Sequence, residues 1–422
     1  MSFRPLRVLV LYHLGVGKNV PAFLRQHIFA LRKKAPENRY LFHNVLLHKP
    51  NILMKIQFDA IVLDVTVLGL RWGEPSVFEK FLRDYRFLAK RNAVKIALPQ
   101  DEYDCSALLD RWLCDWQVNI VYSVLPDHAR VLYPQYSQKG KIFPAFTGYI
   151  SDALLKRKPK PFDSREIDIG YRAKKLPPYF GWIGENKWRI GQLVQDHARR
   201  FNLNADIVVG DHGTFHNNEW YEFIENCKFT LGANSGSSIL DSTGDLQRQI
   251  RAYISVRPEA QYPEIEALFL QDQIGKYSFT ALSPRNIEAA ILESCQILVE
   301  GDYSGVLKPW IHYIPLKADA SNFQEVHDFM CQKDRVLKMI TDCKTAILNE
   351  PQLYYKHHAQ RIIADIRSVN NNQNAPARTT IQNSMRVGVA KIQYFLIPVY
   401  VRAKARLGQL LRKLTSLLPS SV

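Results

Sequence analysis

Residues able to hold a phosphate or orient a hydroxyl recur in this chain directly after apolar runs, where open α/β sheets place ligands. The first group is the turn His13-Leu14-Gly15-Val16-Gly17-Lys18-Asn19, which follows Val8-Leu9-Val10-Leu11-Tyr12. Gly15 and Gly17 would let backbone amides approach a phosphate at a helix N-terminus. The P-loop pattern fails, because Asn19 follows Lys18 and Tyr12 holds the place of the first glycine. A dinucleotide fingerprint fails as well, since Val20 stands where the third glycine belongs. A tight turn without a ligand explains the same glycines, and His13 beside them is either a cleft residue or a structural one.

A second group, Gln100-Asp101-Glu102-Tyr103-Asp104, follows the run Lys95-Ile96-Ala97-Leu98. A carboxylate such as Asp101 could act there as a general base or hold an acceptor hydroxyl. The competing reading is an acidic start to the next helix, from Cys105 onwards. Farther along, Arg172 leaves a strand, and Lys187 and Arg189 open a helix. Cations so placed suit a diphosphate, Arg by bidentate contact and Lys as a point charge, although solvent-facing cations have the same spacing. The loop Gly232-Ala233-Asn234-Ser235-Gly236-Ser237-Ser238 could cradle phosphate or sugar oxygens with its amides and hydroxyls. Arg285 and Glu288 stand in the first turns of a further helix, where an acid answers the helix dipole or grips a ribose diol.

These groups need strands to carry them. Val8–Tyr12, Ala60–Asp64, Lys95–Pro99 and Asn119–Ser123 are near-continuous apolar runs separated by helical patterns, which is the mark of parallel strands covered on both faces. The alternation lapses over 151–165, where Lys156-Arg157-Lys158-Pro159-Lys160-Pro161 reads as a linker. It resumes with Ile167–Arg172, Ala205–Val209, Phe229–Gly232 and Gln296–Val299. The expectation is an α/β protein of two Rossmann-like parallel-sheet lobes, 1–150 and 166–367, with a polar linker and tail over 368–422.

The elements after 165 resemble bacterial glycosyltransferases of the two-Rossmann, GT-B type. They are most similar to the group 1-like proteins of surface-polysaccharide gene clusters. The resemblance rests on Asp168-Ile169-Gly170-Tyr171-Arg172, the loop 231–238, Arg285-Asn286-Ile287-Glu288-Ala289, and the stretch from Glu300 to Leu316. It covers roughly 165 to 330, and 1 to 150 only in general pattern. It implies an acceptor lobe followed by a donor lobe that binds a nucleotide-diphospho-sugar as co-substrate, without cofactor or metal. By this resemblance Arg172 and Lys187 look like the diphosphate pair and Glu288 like the ribose-binding acid. With the residue readings above, the expected donor-binding set is Gly15, Gly17, Arg172, Lys187, Ser235, Gly236, Ser237 and Arg285, and the expected catalytic set is His13, Asp101 and Glu288. The family's Glu-x7-Glu pair is half present: Glu288 matches the second acid, and Thr280 stands where the first should be. The resemblance also implies that the last body helices, Tyr354 to Ile366, cross back onto the first lobe.

The formal charge of +16 is unevenly placed, with eight Lys or Arg and no acid between Arg378 and Lys413. Met385, Val389, Ile392, Leu396, Val399, Ala403, Leu407, Leu410, Leu414 and Leu417 recur at helical steps of three and four. Basic residues off that stripe predict an amphipathic helix lying in an anionic membrane surface over 378–418, or else a helix packed on its own body or a partner. Charge concentrated at one end, with no recognised module, argues against nucleic acid. No leader or spanning segment is read from the sequence, and the scattered cysteines read as core thiols. The expected location is the cytoplasm, peripheral at the inner face of the cell membrane. The expected function is sugar transfer to a glycan or lipid-linked acceptor, or non-catalytic nucleotide-sugar binding by a membrane-tethered scaffold.

Overall fold

The computed structural model describes residues 4–15, 22–210, 215, 218–372, 383–391 and 394. The first lobe carries a wholly parallel sheet in the order β2-β1-β3-β4-β5-β6. Its strands are β1 Arg7–Tyr12, β2 Arg39–Asn44, β3 Ala60–Leu63, β4 Val94–Ala97, β5 Ile120–Ser123 and β6 Lys141–Pro144. Alternate side chains part to opposite faces, as the pleat requires. Leu9, Leu11, Ile61, Leu63 and Val121 pack under Phe78, Phe81 and Leu88 of the helix Pro75–Ala89 and under Trp112 of Ser106–Asp115. Val8, Val10, Ala60, Val62, Ile96 and Ile120 face the other way. That second face is closed by Ala359, Ile362, Ile363 and Ile366 of the helix Tyr355–Asn372, so the last long helix does cross back from the second lobe.

The second sheet is also parallel, in the order β13-β12-β9-β7-β8. It comprises β7 Ile167–Ala173, β8 Ala205–Val209, β9 Cys227–Gly232, β12 Cys295–Val299 and β13 Ile314–Leu316. Gly170 in β7 is required by packing: a Cβ there would lie 2.2 Å from the Cys227 sulfur. Two short strands, β10 Ser235–Ser237 and β11 Phe279–Ala281, pair antiparallel apart from this sheet. Between them the chain makes an excursion that includes the helix Asp245–Val256, closed by a small core of Ile239, Ile250, Ile265 and Leu270 against Tyr179.

The excursion ties the lobes together. Cys105 N–H donates to the Asp241 carbonyl at 2.6 Å, and Asp241 N–H donates to that of Tyr103 at 3.1 Å. Phe279 stacks on Tyr103 with centroids 5.8 Å apart, so β11 shares the core of the first lobe.

Most of the tail segment 378–418 lies outside the described residues. Its described part, 383–391 with Tyr394, packs on the first lobe, as the alternative of a helix on its own body requires. Asn383 exchanges two hydrogen bonds with the backbone of Gln57, at 3.0 and 3.2 Å. The Tyr394 hydroxyl meets His43 Nδ1 at 2.5 Å, and its ring stacks 3.8 Å from that of His48. Burial pushes His43 down to about 3 and His48 down to about 4, so both rings stay neutral in this contact. Among the described residues no helix is long and apolar enough to cross a membrane.

Candidate functional site

Parallel strands present their carboxyl ends to the gap between the lobes, and the second lobe brings Arg172, Lys187, Ser235, Arg285 and Glu288 close to one another there. Lys187, on the helix Gly181–Arg200, reaches Ser235 Oγ with Nζ at 3.4 Å. Burial first, and the charge of Arg285 second, push the Lys187 ammonium down to about 8, with Asp101 opposing. Arg285 lies 5.0 Å above the Trp220 ring and donates to the Arg172 carbonyl. Trp220 in turn donates its indole N–H to Glu288 Oε2 at 2.7 Å. Burial pushes the Glu288 carboxyl up to about 7, against the lowering pull of Trp220 and Arg285. Ser283 caps the helix Pro284–Ile291 in a capping box with Asn286, which fixes where Arg285 and Glu288 emerge.

Arg172 lies in this group in a different state from the one its sequence position suggests. Its guanidinium donates to Asp206 Oδ2 at 2.7 Å and to the carbonyls of Tyr171 and Asp206, and it lies over the rings of Phe223 and Phe215. The charge is thus already matched by an acid on the neighbouring strand β8, and Arg285 is the more exposed guanidinium of the two. Ser237 is likewise diverted. Fully buried, its hydroxyl lies 3.1 and 3.0 Å from the carbonyls of Phe180 and Ile239 and accepts from Ile239 N–H, so it braces the turn rather than facing a cavity. Gly236 stands at φ +145°, where a Cβ would fall 1.7 Å from the Phe279 carbonyl oxygen. The small-residue loop is therefore a paired ladder held tightly against β11, with Ser235 and Gly236 on the cleft.

The first lobe contributes Asp101. The acidic-cap alternative is not realised: the cap position of Ser106–Asp115 is Cys105 and makes no side-chain cap bond. Instead Arg71, almost fully buried, donates to the carbonyls of Leu68, Gln100, Asp101 and Asp104 and shapes the loop. Glu102 turns inward to Ser123, Tyr133 and the Val124 amide. Asp101, at φ +45°, accepts from the Tyr103 hydroxyl at 2.8 Å and stays exposed. It shares a cavity of about 210 Å³ with Lys187, Ser235 and Gly236. His13 and Gly15 line none of these three interlobe cavities among the described residues, and Gly17 lies outside the described residues. The His13 amide donates to Thr66 Oγ1, and nothing crowds the Gly15 Cα.

A larger interlobe cavity of about 930 Å³ lies beside these groups, within the range of ligand pockets, about 300–1,000 Å³. Asp127 and His128 enter it from the first lobe, and Asn186, Thr280, Glu300 and Asp302 from the second. The His128 ring is fixed edge-on to Phe279 at 4.9 Å. The Oδ1 atoms of Asn186 and Asn234 are buried in this cavity's wall without a hydrogen-bond partner among the described residues, ready to accept from a hydroxylated ligand. Sequence reasoning missed Arg71, Trp220, Asn186 and His128. The signal for His128 was available, since it follows the apolar run Ile120–Ser123 as Asp101 follows Lys95–Leu98. Among the described residues no group of His, Cys, Asp and Glu is arranged to hold a metal ion.

No family model matches the sequence, and no curated protein matches it. Solved structures do share its shape. An alpha-glucosyltransferase in complex with UDP and a 13-mer DNA containing a HMU base is similar at TM-score 0.54 and 9% identity, over 86% of this chain and 100% of that one. An alpha-glucosyltransferase with UDP-glucose and DNA containing an abasic site is similar at TM-score 0.53 and 9% identity, over 86% and 99%. HepE of Anabaena in complex with UDP-glucose is similar at TM-score 0.50 and 8% identity, over 86% and 100%. At such identities the likeness is one of fold, and the chain has the α/β fold of two Rossmann-like parallel-sheet lobes, GT-B-like in arrangement.

Proposed function

We propose that the chain transfers a sugar from a nucleotide-diphospho-sugar to a hydroxyl of a glycan or lipid-linked acceptor at the inner face of the cell membrane. The observation that carries this reading is the meeting of Lys187, Ser235 and Gly236 from one lobe with Asp101 from the other in a single cavity, Arg285 standing close by. Solved proteins of the same shape hold UDP or UDP-glucose, which supports a uridine nucleotide as the first donor to test. In the reaction the acceptor oxygen forms a bond to the anomeric carbon, and the bond from that carbon to the diphosphate oxygen breaks. The acceptor proton would leave to a cleft base, for which Asp101 and His128, each lining a cleft cavity, are the candidates, and the electron pair would go to the departing diphosphate. Lys187 and Arg285 would stabilise the charge that develops there. Glu288, held by Trp220, would accept from ribose hydroxyls.

The missing first acid at Thr280 has a candidate replacement. Glu300 and Asp302, just beyond the end of β12, line the same large cavity as Thr280. A carboxylate absent at Thr280 can be supplied from elsewhere on the wall of the same cavity, and the donor sugar would then be read by these two residues. The acid-free basic tail supports attachment to an anionic bilayer.

A second reading, non-catalytic nucleotide-sugar binding, is favoured by the engagement of Arg172 with Asp206 and by the tight cavity beside it, about 40 Å³. Incubation with UDP-glucose and related nucleotide sugars separates the two. Release of the nucleotide diphosphate supports transfer or hydrolysis. A rise in melting temperature with UDP but no release supports the binder. Neither response to any nucleotide sugar sinks both readings.

A further inference from the structure

The loop after β2 is held from beneath by Leu53 and Ile56, both buried, and this leaves Leu46 at 53% and Met54 at 49% exposure. The described tail residues are bound to this same loop. Arg386 donates to the Lys55 carbonyl at 2.9 Å, next to Met54, and Tyr394 stacks on His48, two residues from Leu46. With Val387 and Ala390 turned to the body, Met385 and Val389 stand out at 66% and 55%. Single exposed apolar side chains are ordinary, but here four large ones lie on one pair of segments bound to each other.

Charge says what covers them. From Arg39 to Phe58 there is no acid, while Arg39, Lys49 and Lys55 are present, and 366–422 contains no acid at all. Cations flanking exposed apolar side chains fit a surface that is anionic outside and apolar beneath, as a bilayer leaflet is. A second copy of this chain, paired face to face, would set these cations against one another.

We infer that the first lobe itself docks on an anionic membrane, through Leu46 and Met54 beside the bound tail segment with Met385 and Val389. The inference deepens the proposed membrane attachment and rests on it: the tail is then one part of a folded membrane-facing surface, which fixes the first lobe against the leaflet instead of leaving it on a tether.

Sedimentation of the full chain with phosphatidylglycerol–phosphatidylcholine vesicles tests this, with pure phosphatidylcholine vesicles as the uncharged reference. The double substitution Leu46→Glu with Met54→Glu should weaken binding at least about tenfold, since two apolar contacts are lost and two like charges are added. Leu46→Ile with Met54→Leu should keep wild-type binding. Both variants should melt with the wild type, because the two positions are exposed, and nucleotide-sugar turnover should not change. Wild-type binding by the Leu46→Glu, Met54→Glu chain overturns this inference alone, leaving the tail as the whole attachment. A wild-type chain that ignores anionic vesicles overturns the membrane reading along with it. A wild-type dimer that the Glu pair disrupts, without vesicle binding, would identify a second copy as the occupant and overturn it too.

Discussion

Replacing Lys187 with Gln should abolish most of the pH dependence of UDP binding between about pH 7.5 and about pH 9. In the free protein, burial and Arg285 hold the Lys187 ammonium near 8 rather than 10.5. A diphosphate set against Nζ supplies the negative charge that the site lacks and returns the group towards its ordinary value. Binding then takes up a proton at any pH between the free and bound values, and affinity falls about tenfold per pH unit across that window. Lys187→Gln cannot take up that proton, so its affinity should be flat there. At about pH 7 it should also be lower, by roughly tenfold to a hundredfold, for loss of a charge-assisted hydrogen bond of about 1.5–3 kcal/mol. Unfolding does not mimic this result. A base with a lowered folded value holds fewer protons folded than unfolded between about 8 and 10.5, so this group makes the fold more stable as pH rises through that range. Titration calorimetry with UDP at a series of pH values, with melting curves beside it, gives both quantities. A flat wild-type profile, or the same slope in Lys187→Gln, refutes the placement of this ammonium on the diphosphate.

The remaining expectations concern residues whose structural roles differ from their sequence roles. Gly236→Ala puts a Cβ into the Phe279 carbonyl, and should cost on the order of 3 kcal/mol in a melting experiment while weakening UDP binding through Ser235. His128→Ala should lower turnover by about a hundredfold or more if that ring handles the acceptor proton, and His13→Ala should leave it near wild type. Equal losses in both would return His13 to the reacting centre. Arg172→Ala should lower the melting temperature, since it strips Asp206 and two carbonyls of their donor. Its UDP affinity should fall less than that of Arg285→Ala, and the reverse order would make Arg172 the diphosphate ligand.

Strands buried on both faces were legible because every residue in them is apolar or nearly so, as in Ala60–Leu63 and Ile120–Ser123. Strand β2 was not, since Arg39 and His43 break its apolar run at the sheet edge, where a strand has one neighbour. Strand β6, Lys141–Pro144, failed for the same reason: it is the opposite edge and its side chains are only partly buried. Neither β10 nor β11 carries a sequence signal, because each is only three residues long and they pair only when the excursion between them returns, and that return is a tertiary event.

Site residues followed a similar division. Position was legible for Asp101 and Arg172, expected at strand ends and standing there, whereas Lys187, expected to open a helix, lies nearly two turns inside Gly181–Arg200, and Glu288 is the fifth residue of Pro284–Ile291. Partnership was not, because it depends on which strand lies alongside. β8 is the neighbour of β7, so Asp206 arrives beside Arg172 from 34 residues away and takes up the charge that the sequence seemed to offer a ligand. Arg285 and Lys187, from two different helices, interact there, and among the described residues no acid lies within salt-bridge distance of either. What an anion meets at such a cleft is the positive charge left over after internal pairing, which under the proposed function would come from Lys187 and Arg285. A strand-end cation in a parallel sheet is therefore best judged against the residues of the adjacent strand before it is assigned to a phosphate.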